Sequence, residues 1–343
     1  MKVNIKLIYA VCLLMGCSQK DILISPPPIA EIQIIEGPSQ FTLDGSLSSD
    51  KSGRPLTYRW TASSDKISII SPNASKTSFS IPAVSESFTT DISLQVSNGV
   101  STTAATQTVL IPVSNQLQLY GLGQQLNGGV SNNTSYEWYF DQMNSGTYSL
   151  VNCGPTSVTM AIKWTDQSFT KTPENARQAY RSNGGWWYTN DIINYLGDYS
   201  VNNYTITLTD INLLKDKIDK GDIVILCLDM YYVEAASSNT LHVNKFYAAN
   251  TVGWGHFIVI KGYKEVDSQT FFEAYDPYSF GRTYTDYSLK GKDRYYKASN
   301  LDAATNHWWD YAIVVTKPGL SGGREAADPN EVDPTKIPHM PGQ

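Results

Sequence analysis

The chain has 343 residues, of which 41% are hydrophobic and 17% charged, with a formal net charge of −6. That length is enough for two folded domains. An acidic chain without a basic cluster excludes nucleic acid as a partner.

In chain order, residues 1–16 are set apart from the fold. Lys2 and Lys6 give a positive start, and residues 7–15 form a mostly apolar core too short to cross a bilayer. The segment closes on Leu14-Met15-Gly16-Cys17, with small Gly16 directly before the cysteine. This resembles the bacterial lipobox, and the resemblance implies that Cys17 is lipidated and becomes the new N-terminus. Ser18 follows instead of an aspartate, which favours the outer membrane in bacteria with two membranes. Losing residues 1–16 removes Lys2 and Lys6 and no acid, so the net charge moves from −6 to −8. The expected protein is a folded body on a lipid anchor in the cell envelope, at the outer membrane or cell surface. Residues 17–29, ending in Pro26-Pro27-Pro28, read as a stiff tether.

From 30 to 113 the texture is all-β. Alternating runs such as Phe41-Thr42-Leu43 and Ile92-Ser93-Leu94-Gln95-Val96 are separated by turn signals at Asp44-Gly45, Ser52-Gly53 and Asn98-Gly99. No helical period appears, and a small β-sandwich is predicted. Leu43-Asp44-Gly45-Ser46, Ser49-Asp50 and Leu56-Thr57-Tyr58-Arg59-Trp60 together resemble a PKD domain, an immunoglobulin-like module of extracellular proteins. The resemblance implies a spacer or weak binding module, with a surface polymer as its contact. Asp44 and Asp50 read as turn formers in preference to calcium ligands.

Residues 118–316 hold seven of the eight tryptophans and mix helical with strand patterns. Helices are predicted from Thr172-Pro173-Glu174 to before Gly184, from Thr189 to Leu196, and from Thr209 to Ile218. Strands are predicted near 222–229, 255–263, 269–276 and 309–316. Helices first and strands later indicate an α+β domain. The segment 317–343, rich in Gly, Pro and acids without apolar periodicity, is expected to be a disordered tail.

Of the four cysteines, Cys12 leaves with the signal and Cys17 is the lipidation site, so Cys153 and Cys227 remain. Cys227 lies in the apolar run Ile223-Val224-Ile225-Leu226-Cys227-Leu228 and reads as a packed strand residue. Cys153 precedes Gly154-Pro155-Thr156-Ser157 and a helix-periodic stretch. A thiol at a helix start meets unpaired N–H groups and the positive end of the helix dipole, which favour thiolate. Such a nucleophile needs an imidazole and a group to hold it. His256 opens an apolar strand after Gly255. Asp276-Pro277 ends the next strand, so pairing of those strands would bring Asp276 close to His256.

These residues resemble the bacteriocin-processing-like family of papain-fold cysteine peptidases, whose best-known members cleave leader peptides. The shared pattern is Cys-Gly-Pro-Thr-Ser at a helix start, Gly-His before an apolar strand and Gly-Tyr (Gly262-Tyr263), then Asp-Pro. It spans about 135–316. The resemblance implies a papain-like α+β fold with an antiparallel sheet and a peptide or protein substrate. It also implies Cys153 as nucleophile, His256 as general base and acid, and Asp276 as orienter. A glutamine upstream of the cysteine supplies the family's oxyanion donor, and Gln142 is the candidate, eleven residues before Cys153. No histidine–carboxylate or cysteine cluster has metal-ligand spacing, and no cofactor is implied.

Trp186 and Trp187, after Gly184-Gly185, and Trp254 are candidate cleft residues. Residues 230–252 lie between two predicted strands and are long enough to act as a lid. The Gly- and Asn-rich stretch 121–133 suggests freedom between the two domains. Two alternatives stay open at this level. The same Cys-His-Asp set serves an amidase or acyltransferase, or the chain is a catalytically silent adhesin or glycan-binding lipoprotein.

Overall fold

The computed structural model describes residues 26–37, 40–80, 87–112, 116–284, 287–317 and 327–338. The expected signal segment, Cys17 and most of the tether lie outside these residues.

Six strands come first: β1 (Gln33–Glu36), β2 (Gln40–Asp44), β3 (Thr57–Ala62), β4 (Lys76–Ser80), β5 (Phe88–Ser97) and β6 (Thr102–Ile111). Along β5 every second residue turns inward, so that Ile92, Leu94 and Val96 are fully buried. They face Ile34, Phe41, Leu43 and Phe79 of β1, β2 and β4 across one core, with Trp60 between them. The turn between β5 and β6 closes on Asn98, whose side-chain oxygen accepts from Val100 N and Ser101 N. Asp44 accepts from Ser46 N and pairs with Lys76. Asp50 accepts from Arg54 N and Asn98 Nδ2, so both aspartates hold loop conformation.

A short helix α1 (Gln116–Tyr120) leads to β7 (Leu126–Ser131). Then come α2 (Cys153–Thr165), α3 (Pro173–Ala179), α4 (Thr189–Asp198), β8 (Asn203–Thr207), α5 (Leu213–Asp219) and β9 (Ile223–Asp229). The long strand β10 (Gly255–Val266) follows, with β11 (Gln269–Tyr275), β12 (Arg294–Lys297), α6 (Ala298–Asn306), β13 (Tyr311–Val315) and β14 (Glu331–Val332). Pairing between these strands is antiparallel throughout. Strand β9 is buried on both faces. Ile223, Ile225 and Cys227 pack with α2 and α4, while Val224, Leu226 and Leu228 pack with α5 and α6.

Two findings differ from the sequence reading. The stretch 121–133 contains strand β7, which pairs with β10 on one side and β1 on the other. One sheet therefore runs β14-β8-β13-β9-β10-β7-β1-β2-β4, and the N-terminal strands are stitched to the C-terminal ones. The glycines that suggested a linker serve close approach: a Cβ on Gly129 would lie 2.8 Å from Tyr263 O. The second difference is in the tail expected to be disordered. Residues 327–338 pack on the body, with β14 added to the edge of β8 and Asp328 in a buried ion pair with Lys217. Backbone pairing, the ion pair, a Trp309 Nε1 bond to Pro338 O and apolar Ile337 packed on the core hold this segment, and one such apolar contact leaves no period to read.

Candidate active site

Helix α2 begins at Cys153, and Gly154 and Pro155 occupy its first turn. Pro155 costs no hydrogen bond there, because first-turn N–H groups have no intrahelical acceptor. Gly154 allows close contact, since a Cβ on it would lie 2.7 Å from the Trp187 Cβ. Cys153 keeps 6% of its surface, His256 2% and Asp276 none, so all three residues are buried and Cys153 is the least so.

His256 is the second residue of β10, opposite Leu228 of β9. The loop leading to it is fixed by the Asp229 carboxylate, which accepts from Tyr231 N, Gly253 N and Trp254 N at 2.8–3.0 Å. Gly255 gives room for Trp308, whose ring would be 2.4 Å from a Cβ at that position. Strands β10 and β11 pair with Val259 opposite Tyr275, which sets Asp276 diagonally across from His256 on one face. His256 Nε2 lies 2.8 Å from Asp276 Oδ1. The imidazole and the Cys153 thiol are close enough that each shifts the other's ionisation.

Every oxygen of Asp276 is engaged. Oδ1 also accepts from Tyr278 N at 2.9 Å, and Oδ2 accepts from Tyr247 OH at 2.9 Å and Tyr296 OH at 2.5 Å. Sequence reasoning missed both tyrosines, one in the presumed lid and one on a short strand without an alternating pattern. Within residues 230–252, Met230, Val233, Val243, Lys245 and Ala249 are buried in the body, while 234–240 lie largely at the surface. Lys245 Nζ donates to Met230 O at 2.6 Å and Ala249 O at 3.0 Å, and Tyr247 is buried.

The electrostatics follow from this burial. Burial pushes the Cys153 thiol up, but interaction with the His256 imidazole and its charge, with Phe257 N–H and Gly154 N–H, outweighs it and holds the thiol below its ordinary value. Burial depresses His256, and the Asp276 charge and hydrogen bond, joined by Cys153, push it up to about 10. Burial raises Asp276, while His256, Tyr296 OH and Tyr278 N–H bring it below the usual carboxylate range. At neutral pH the arrangement favours thiolate beside imidazolium. Cys227 is not in a disulfide, and burial pushes its thiol well up, as an inert core residue requires.

Gln142 begins a one-turn 3-10 helix, Gln142–Asn144, capped by Asp141. Its N–H donates to Pro277 O at 2.9 Å, which sets it beside the Asp276 turn. Its Nε2 donates to Ser149 O at 2.9 Å, and its Oε1 is buried without a partner among the described residues. The eleven-residue span to Cys153 is folded back by side chains. Ser145 Oγ donates to Gln142 O at 2.5 Å, and Asn152 Nδ2 donates to Ser145 O and Oγ at 2.9 Å.

The tryptophans divide. Trp186 is exposed. Trp187 is a core residue, 2% exposed, with Nε1 donating to Tyr180 O, because it fills the space that Gly154 leaves. Trp254 packs with the core that contains Leu226 and Leu301, on the face of the sheet away from α2. Among the described residues no three His, Cys, Asp or Glu side chains gather as a metal site.

Residues 136–303 match the model of the Peptidase_C39 like family. No curated protein matches the chain. Among solved structures, a putative C39-like peptidase from Bacillus anthracis is 13% identical, over 52% of this chain and 94% of that one, with a TM-score of 0.36. A nucleoside hydrolase-related hypothetical protein from Saccharophagus degradans, associated with carbohydrate metabolism, is 23% identical with a TM-score of 0.22. That likeness covers 26% of each chain, so this chain spans about a quarter of that protein's length.

Proposed function

We propose that this C39-like peptidase region cleaves peptide bonds with Cys153 as nucleophile, His256 as general base and acid, and Asp276 as the group that orients His256. One observation carries the reading: the buried Cys153 thiol is electrostatically coupled to an imidazole that is itself held 2.8 Å from a fully satisfied carboxylate. In this mechanism the Cys153 thiolate attacks the acyl carbon. The second Nε2 hydrogen of Gln142 and the Cys153 backbone N–H receive the oxyanion. His256, as imidazolium, protonates the leaving amine, and as neutral imidazole then takes a proton from the water that releases the acyl group. Asp276 keeps the ring oriented and stabilises its charge, and Tyr247 and Tyr296 keep Asp276 ionised and immobile.

The site lies on a body that the sequence of residues 1–17 reads as lipid-anchored at Cys17 in the cell envelope. Incubating the soluble body with a peptide library and identifying products by mass spectrometry tests the activity. The reading expects new termini that carry water oxygen and vanish in Cys153→Ala. Products that persist in Cys153→Ala contradict it, and products joined to an added amine indicate acyl transfer.

A further inference from the structure

Arg177 on α3 is 1% exposed, yet among the described residues no carboxylate pairs with its guanidinium. Its hydrogen bonds go to neutral oxygens: Nε to Asn152 Oδ1 at 2.7 Å, Nη2 to Val151 O at 3.1 Å and Nη1 to Arg181 O at 3.1 Å. The rings of Tyr148 and Trp187 flank it at 6.0 and 5.9 Å. The nearby Asp191 carboxylate is taken by Arg181 Nε and Tyr188 N. An unpaired buried cation is costly, so its retention asks for a compensating charge. Val151 and Asn152 are the two residues directly before Cys153.

We propose that Arg177 is a positioning residue of the Cys153 site. It holds Asn152, and through Asn152 and Ser145 the loop that carries both oxyanion donors, and it supplies a buried positive charge to the Cys153 thiolate. The inference rests on Cys153 being the nucleophile. The connection is continuous: Arg177 to Asn152 Oδ1, Asn152 Nδ2 to Ser145, Ser145 Oγ to Gln142 O. Asn152 makes no side-chain cap to α2, because its amide is spent on this chain. The ionisable groups around Arg177 are Cys153, Asp191, Arg181 and Tyr148, and those facing Cys153 from the sheet are His256 on β10 and Cys227 on β9. The Cys153 charge opposes the effect of burial on the guanidinium, as a partner would.

Two probes separate charge from geometry in the full soluble body. Iodoacetamide alkylation of Cys153 reads thiolate formation and needs no oxyanion site. Acylation by p-nitrophenyl acetate forms a Cys153 thioester, expels p-nitrophenolate and passes through an oxyanion. Arg177→Met is expected to raise the pH midpoint of alkylation by about one unit and to slow acylation on the order of 10²-fold. Arg177→Lys is expected to restore the midpoint and leave acylation slow, because an ammonium lacks the planar fork that bonds Asn152 and Val151 together. If Arg177→Met does not fold, Arg177→Gln keeps a polar amide at the position without the charge, and the midpoint is again expected to rise. An unchanged midpoint and acylation rate in these variants, with a raised midpoint in His256→Ala, overturns the role of Arg177 alone. An ordinary thiol in the parent protein overturns the nucleophile reading and this inference together.

Discussion

Asp276 receives four hydrogen bonds in a place with no exposure, and that accounting explains why it stays charged. A buried carboxylate is stable only when donors replace water, and two phenols do so here. The Asp276 charge and hydrogen bond are the leading causes that raise His256 against burial. The pH dependence of kcat/KM on a cleaved peptide is therefore expected to be bell-shaped. Its acid limb reports Cys153 ionising below the ~8.5 of a free thiol, and its alkaline limb reports His256 losing its proton near about 10. Asp276→Asn removes the anion that favours imidazolium, so the alkaline limb is expected to move down by about one to two units. An alkaline limb that stays in place would contradict this role for Asp276. The residues of the proposed triad were legible because each sits where an element changes: Cys153 at a helix start, His256 at a strand entry, Asp276 at a strand end. Tyr247, Tyr296 and Arg177 were not, because buried polar contacts to loops leave no spacing to read.

At the scale of elements, the β9–β10–β11 ladder sets the geometry of His256 and Asp276, and its strands were visible as apolar runs with β-branched residues. Strand β7 was hidden because Gly128 and Gly129 are loop signals in isolation, while pairing on both edges overrides that preference. The loop from Gln142 to Cys153 was equally opaque, since it folds back through side-chain bonds to backbone oxygens. Gly255 has a sharper consequence. A methyl group there would run into Trp308, 2.4 Å away, at the residue next to His256. Gly255→Ala is expected to cost about 1–3 kcal/mol in denaturant titration and to lower activity more than stability explains, by tilting the entry of β10. Full activity with unchanged stability would show that Trp308 gives way freely.

For the whole molecule, the shared sheet takes the place of the freedom that residues 121–133 suggested. Strand β1 pairs with β7, and Gln33 Nε2 reaches Ile218 O and Asp219 O at the end of α5, so the N-terminal strands brace the C-terminal region directly. The segment 327–338 closes the opposite edge of the same sheet. Its buried polar anchor is the Lys217–Asp328 pair, with side chains only 2% and 5% exposed, and Ile337 packs on the core. Asp328→Asn leaves the Lys217 ammonium buried without its counter-charge and is expected to destabilise the protein by about 3 kcal/mol, read by denaturant unfolding. A loss under about 0.5 kcal/mol, the size of an ordinary surface change, would mean that the tail is not held by this pair. The central claim still resides in one pair of atoms, the Cys153 sulfur and the His256 ring, and the most direct measurement is the pH dependence of Cys153 alkylation by iodoacetamide. A midpoint below about 7.5 that rises toward that of a free thiol in His256→Ala is the predicted result, whereas a midpoint near ~8.5 that is indifferent to His256 would contradict the account.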